Sequence, residues 1–139
     1  MVKTMRIMAI DYGDTRTGVA ISDETATLAG KAWVITEKSQ EALAGAIASE
    51  AVAHGVGAIV VGYPRNMDGT VGPRAEKSGL LAESIRGRCD IEVVLWDERM
   101  TTISAHRILS ETGRYGKKRK KTIDAVAASL ILEDYLRGR

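Results

Sequence analysis

The chain contains no phenylalanine, and its aromatics are limited to four Tyr and two Trp. That scarcity argues against a nucleic-acid platform built on stacked aromatic rings. Cysteine occurs once, at Cys89, so an intrachain disulfide is excluded and a reducing cytoplasm fits. With no partner at zinc spacing, Cys89 reads as a packing residue. No apolar stretch approaches the ~20 residues of a membrane-spanning helix. The apolar run after Lys3 and Arg6 is short and ends on Asp11, which is not the pattern of a signal peptide. Acidic residues are missing from one place in particular. Residues 113–121, GRYGKKRKK, hold six basic side chains and no acidic one. Without them the 139-residue chain keeps 14 basic against 18 acidic residues, a body of net charge −4. An acidic body with one basic segment points to a polyanion gripped at one place. A solvated, self-repelling loop is the plainer account of the same run.

What is present is organised around Met5–Ser22, MRIMAIDYGDTRTGVAIS. The run Ile7-Met8-Ala9-Ile10 has the length and composition of a buried strand and stops on Asp11. A polar turn containing Gly13, Thr15 and Arg16 follows, and Gly18-Val19-Ala20-Ile21 starts the next strand. A carboxylate at the mouth of a buried strand is costly unless a donor, a cation or a metal ion satisfies it. Bracing the turn through nearby backbone N–H groups is the structural alternative for Asp11.

The remaining pattern predicts strands over about 5–11, 17–23 and 31–35, then a helix over 40–54 with Ser39 as its N-cap. Leu43, Ala46, Ile47 and Val52 supply that helix's apolar repeat, and Gly55 and Gly57 end it. Ala58–Val61 reads as a strand covered on both faces. A turn over 62–69 leads to a helix over 71–88 with Ala75, Leu80, Leu81 and Ile85 as its apolar positions. Ile91–Leu95 is a fifth strand, Thr101 or Thr102 caps a helix through Leu109, and Thr122 caps a last helix from Ile123 to about Arg137. The order βββαβαβαα predicts one α/β domain over 1–139, a mixed five-stranded sheet with helices on both faces and strand one in the middle. Trp33 and Trp96 read as core or edge packing, and His54 and His106 as ordinary helix residues.

Three acids stand where such a fold brings strand ends and a helix end together: Asp11, Glu98 just past the fifth strand, and Asp124 in the first turn of the last helix. Asp124 shares a helical face with Ala128 and Ile131. Each has a plain structural explanation when taken alone. Asp124 can complement a helix dipole and Glu98 can pair with Arg99. Together they form a hard-oxygen set suited to Mg2+ or Mn2+, and two such ions between carboxylates serve phosphodiester hydrolysis. The basic run lies immediately before Asp124, so a polynucleotide held there is delivered to the acids. Arg16 and Arg65 are further candidates for phosphate contact, with Arg114, Lys117, Lys118, Arg119, Lys120 and Lys121 forming the basic run itself. With little to bury, residues 113–121 are expected to be mobile until substrate orders them.

The segments AIDYGDTRTGVAISD (9–23), VVGYPRNMDGT (60–70), DERMTT (97–102) and KKRKKTIDAVAASLILEDYL (117–136) resemble the YqgF/RuvX family, relatives of RuvC resolvase with an RNase H-like fold. The likeness extends from Arg6 to Leu136, and one departure is Lys31-Ala32, where the family commonly carries Pro-Leu. The resemblance implies Asp11, Glu98 and Asp124 as metal-binding catalytic acids. It also implies a role in maturing the 5′ end of 16S ribosomal RNA, with Holliday-junction resolution on four-way DNA as the alternative. Junction cutting favours a homodimer, which incises two symmetric strands. Two readings of other classes compete. Asp11–Thr15 resembles the first phosphate loop of actin-like ATPases, with Asp68-Gly69-Thr70 as a possible second loop, but those enzymes clamp nucleotide between two domains. A non-catalytic RNA-binding module would keep the fold without needing all three acids.

Overall fold

A computed structural model of the protein describes residues 5–13, 15–26, 29–37, 39–64, 68–97 and 117–138, with the backbone alone described for 29 and 117–124. Five strands, β1 (Arg6–Asp11), β2 (Thr17–Ser22), β3 (Ala29–Ile35), β4 (Val56–Tyr63) and β5 (Glu92–Asp97), form one sheet of order β3-β2-β1-β4-β5. β1, β2 and β3 make an antiparallel meander, while β4 and β5 run parallel to β1. β1 is therefore the central strand, as the element order predicts.

The helices take opposite faces because side chains alternate along each strand. Met8, Ile10, Val19, Ile59 and Val61 point to one face. There they meet α1 (Gln40–Ala53) through Leu43 and Ile47, and α2 (Pro73–Arg86) through Leu81 and Ile85. Ile7, Ala9, Ala20, Ala58 and Val60 point to the other face, covered by α3 (Lys117–Gly138) through Ala128, Ile131 and Leu132. Deep burial of each large aliphatic side chain stabilises the fold by roughly 1.5–3 kcal/mol.

Local chemistry sets the ends of the elements. Ser39 Oγ accepts the Ala42 N–H at 3.3 Å and caps α1. Gly55, at φ +68°, turns the chain out of α1 into β4. α2 begins at Pro73 rather than at Val71, because a ring with fixed φ and no N–H suits the first helical position. A Cβ on Gly57 would lie 1.9 Å from Met5 Sδ, so this glycine makes room for the Met5 side chain.

Three expectations need correction. The last helix starts at Lys117, not after a cap at Thr122, and Lys117–Lys121 form its first turns. Lys and Arg are good helix formers, and no Gly or Pro interrupts the chain from Lys117 to Arg137, so the helix takes in the charged run. The basic block is thus helical rather than a loop. Val52 and Leu80 are 65% and 60% exposed, because the inward stripes run through Leu43, Ile47 and Ala51 and through Leu81 and Ile85. Each outlier is one residue, about 100°, from its stripe. The helix expected through Leu109 and the mobility expected of 113–116 lie outside the described residues.

Candidate active site at the carboxyl end of the sheet

Asp11 is the last residue of β1 and is 5% exposed. Its position follows from the strand around it. Ile7 and Ala9 belong to the cluster under α3, so the two-residue alternation puts Asp11 on the α3 face. The strand register fixes its neighbours. Asp11 pairs with Gly18 of β2, which in turn pairs with Val34 of β3. On the other side Ile10 pairs with Val61, so the next step along brings Asp11 level with Gly62, itself the partner of Trp96 in β5. One row across the sheet therefore reads Val34, Gly18, Asp11, Gly62, Trp96. Ligands of open α/β sheets gather at the carboxyl ends of the parallel strands, which here are those of β1, β4 and β5.

The turn after Asp11 is tight. A Cβ on Gly13 would stand 2.2 Å from the Arg16 carbonyl oxygen, so only glycine fits while Arg16 leads back into β2. Arg16 is half-buried in this turn, next to the buried start of β2 at Thr17. After β4, Asp68 Oδ1 accepts both the Thr70 N–H at 2.9 Å and the Thr70 hydroxyl at 2.6 Å. Asp68-Gly69-Thr70 is thus a turn held by its own aspartate, with Gly69 at φ +90°. That is the plain-turn alternative to a phosphate loop.

Of the remaining predicted residues, Glu98, Arg65 and Arg114 lie outside the described residues. β5 carries the chain to half-buried Asp97, opposite Tyr63, directly before Glu98. Asp124 lies within α3, about two turns past Lys117 rather than in the first turn, where it would complement the helix dipole, and four residues before fully buried Ala128. Lys117, Lys118, Arg119, Lys120 and Lys121 precede it in the same helix. Among the described residues no group of three metal-ligating side chains is assembled, and of the three acids only Asp11 has a described side chain.

Sequence reading did not single out Gly18, Gly62 or Trp96 as site neighbours, because their place beside Asp11 follows from strand register. Trp96 packs edge-on against Tyr135 of α3 with ring centroids 5.5 Å apart. Its buried Nε1–H has no hydrogen-bond partner among the described residues. His54 sits against Trp33 at 5.6 Å, with Glu50 at 3.2 Å, which agrees with a packing role. Cys89 is half-buried and its Sγ–H donates to the Ile85 carbonyl at 3.5 Å, again a packing role. Among the described residues no helix is long and apolar enough to cross a membrane.

Comparison with known proteins identifies the family and the fold. Residues 5–138 match the family described as "RuvX: Holliday junction resolvase". A protein of Halothermothrix orenii named "Putative pre-16S rRNA nuclease" is 46% identical over 132 residues, covering 95% of this chain and 94% of that one. A protein of the same name from Acetivibrio thermocellus is 44% identical over 134 residues, covering 95% of each chain. Among solved structures, RuvC of T. thermophilus in complex with a Holliday junction substrate superposes with a TM-score of 0.58 at 15% identity, covering 96% of this chain and 95% of that one. The fowlpox virus Holliday junction resolvase gives 0.54 at 12% identity, covering 97% of this chain and all of that one. At such identities the structural likeness is one of fold, and that fold is RNase H-like.

Proposed function

The chain belongs to the RuvX family, and on that premise we propose that it is a nuclease that hydrolyses phosphodiester bonds at the 5′ end of pre-16S rRNA. It acts as one domain over residues 1–139, in the cytoplasm. The observation that carries the site is Asp11, a carboxylate about nineteen-twentieths buried at the carboxyl end of the central strand. Asp11, Glu98 and Asp124 are its catalytic acids. Their donors are carboxylate oxygens, which fit Mg2+ or Mn2+. When bound between them, such ions supply an activated water and neutralise charge on the leaving oxygen.

The chain's own residues do the rest. Burial holds the Asp11 carboxylate in one place, so its charge need not reorganise as the reaction proceeds. Arg16, in the turn after Asp11, contacts phosphate, and so do Arg65 and Arg114. Lys117, Lys118, Arg119, Lys120 and Lys121 grip the polynucleotide from the first turns of the helix that carries Asp124.

A second reading keeps the same acids but changes the substrate to a four-way DNA junction cut by a homodimer. The family description and the RuvC-like fold favour it. Metal-dependent cleavage assays on pre-16S 5′ RNA, unstructured single-stranded RNA and a four-way DNA junction separate the two. Preferred cutting of the precursor RNA is expected. Preferred symmetric incision of the junction would move the assignment to recombination. Binding of RNA with no cleavage of any substrate would make the protein a non-catalytic module.

A further inference from the structure

The rotational phase of α3 is set by the side it turns to the sheet. Ala127, Ala128, Ile131 and Leu132 are buried, whereas Val126, Glu133 and Arg137 are exposed. Around the helix axis the buried four lie within about 80° of the position of Asp124, and the exposed three lie at least about 140° from it. The helix is continuous from Lys117, so the same phase carries back through its first turns. Lys117, Lys120 and Lys121 stand seven, four and three residues before Asp124, within about 60° of it. Lys118 lies about 120° away, on the flank, and Arg119 falls in phase with exposed Arg137. The stripe that is apolar from Ala127 to Leu132 thus becomes cationic before Asp124. Lysine is almost never a core residue unless its charge is paired. Packing therefore gives no reason for three lysines on this stripe, and a polyanion lying along it does.

We propose that the basic run is sorted by the helix: Lys117, Lys120 and Lys121 form a phosphate track leading along α3 to Asp124, while Lys118 and Arg119 attract nucleic acid from outside it. This rests on the nuclease reading, in which Asp124 is one of the catalytic acids. Lys120 and Lys121, one helical turn from Asp124, hold phosphates next to the reacting bond. Lys117, about 10 Å from Asp124 along the axis, takes a phosphate farther along the strand. The competing account is an ion pair within the helix, in which Lys120 or Lys121 balances the charge of Asp124 at i, i+4 or i, i+3 spacing.

Two charge-matched double variants of the full chain, Lys120→Ala/Lys121→Ala and Lys118→Ala/Arg119→Ala, separate these accounts on pre-16S 5′ RNA in Mn2+. Each removes two cations, so both should bind RNA more weakly. The first pair is expected to lose about 100-fold in kcat/KM, with part of the loss in kcat, as for a misplaced phosphate. The second should lose about 5-fold, all of it in KM. Adding Lys117→Ala to the first pair should cost about 5-fold more, again in KM. Lys120→Arg/Lys121→Arg should recover most of the activity, because the charge is kept. Melting temperatures should stay near the wild type, since alanine and arginine both suit a helix. Equal losses from the two Ala pairs would overturn the proposal and leave an unsorted cloud of charge. So would a lower melting temperature with cleavage intact in the first pair, which would assign those lysines to the ion pair. A wild-type protein that cuts nothing sinks the nuclease reading and the track with it, whereas equal losses from a wild type that cuts sink the track alone.

Discussion

The two faces of the sheet are built from different residues. Under α1 and α2 the strands present Met8, Ile10, Val19, Ile59 and Val61. Under α3 they present Ala9, Ala20 and Ala58, with Ile7 and Val60 as the larger exceptions. α3 answers with Ala127 and Ala128, both buried, beside the larger Ile131 and Leu132. Large side chains interdigitating with two helices carry most of the burial energy. A face of small side chains contributes less per residue but lets a helix lie close. It is on this second face that Asp11 emerges, between two glycines. One face is thus filled by large aliphatic side chains, and the other carries the buried Asp11 carboxylate.

That division can be broken from either side. The largest effect should come from Asp11→Asn on the small-residue face. Cleavage should fall by about three orders of magnitude, since one charge of the proposed metal-binding set is removed, while the circular dichroism spectrum stays native. Ile59→Ala on the large-residue face should do the reverse. Denaturant unfolding should show a loss of about 2–5 kcal/mol, with kcat/KM of the folded protein unchanged. Overfilling the small-residue face, as in Ala9→Leu, should cost about 1–3 kcal/mol, because α3 has no slack to receive a larger side chain. Replacing Lys117, Lys118, Arg119, Lys120 and Lys121 with Ala should flatten the log–log salt dependence of RNA binding by about 0.7 for each phosphate that the helix no longer neutralises. An unchanged slope would remove the basic turns of α3 from the interface. Val52→Ser on the exposed side of α1 should change stability by no more than about 0.5 kcal/mol.

Much of this division was legible in the sequence. Unbroken apolar runs mark β1 as a buried strand and β4 as one covered on both faces, and Ser39 and Gly55 mark the limits of α1. Asp11 was legible because a carboxylate ends the apolar run of β1. The register was not, since pairing Asp11 with Gly18 and levelling it with Gly62 depends on which strands are neighbours. Alternation gave two sets of residues in β1 but not which helix each set meets. The start of α3 was misplaced for a different reason. Gly113 and Gly116 and the absence of apolar residues over 117–121 have the look of a loop, but lysine and arginine continue a helix as readily as they occupy a loop. Glu98 rests on its place one residue after Asp97, where β5 ends.

The central claim, that the small-residue face holds a carboxylate-bound metal at Asp11, is tested most directly by thermal unfolding in increasing Mn2+, comparing wild type with Asp11→Asn. An ion that binds only the folded protein stabilises it by about 2.7 kcal/mol at one hundred times its dissociation constant. The wild-type melting temperature should therefore climb with Mn2+, while that of Asp11→Asn should stay nearly flat over the same range. An equal climb in both proteins would contradict the account.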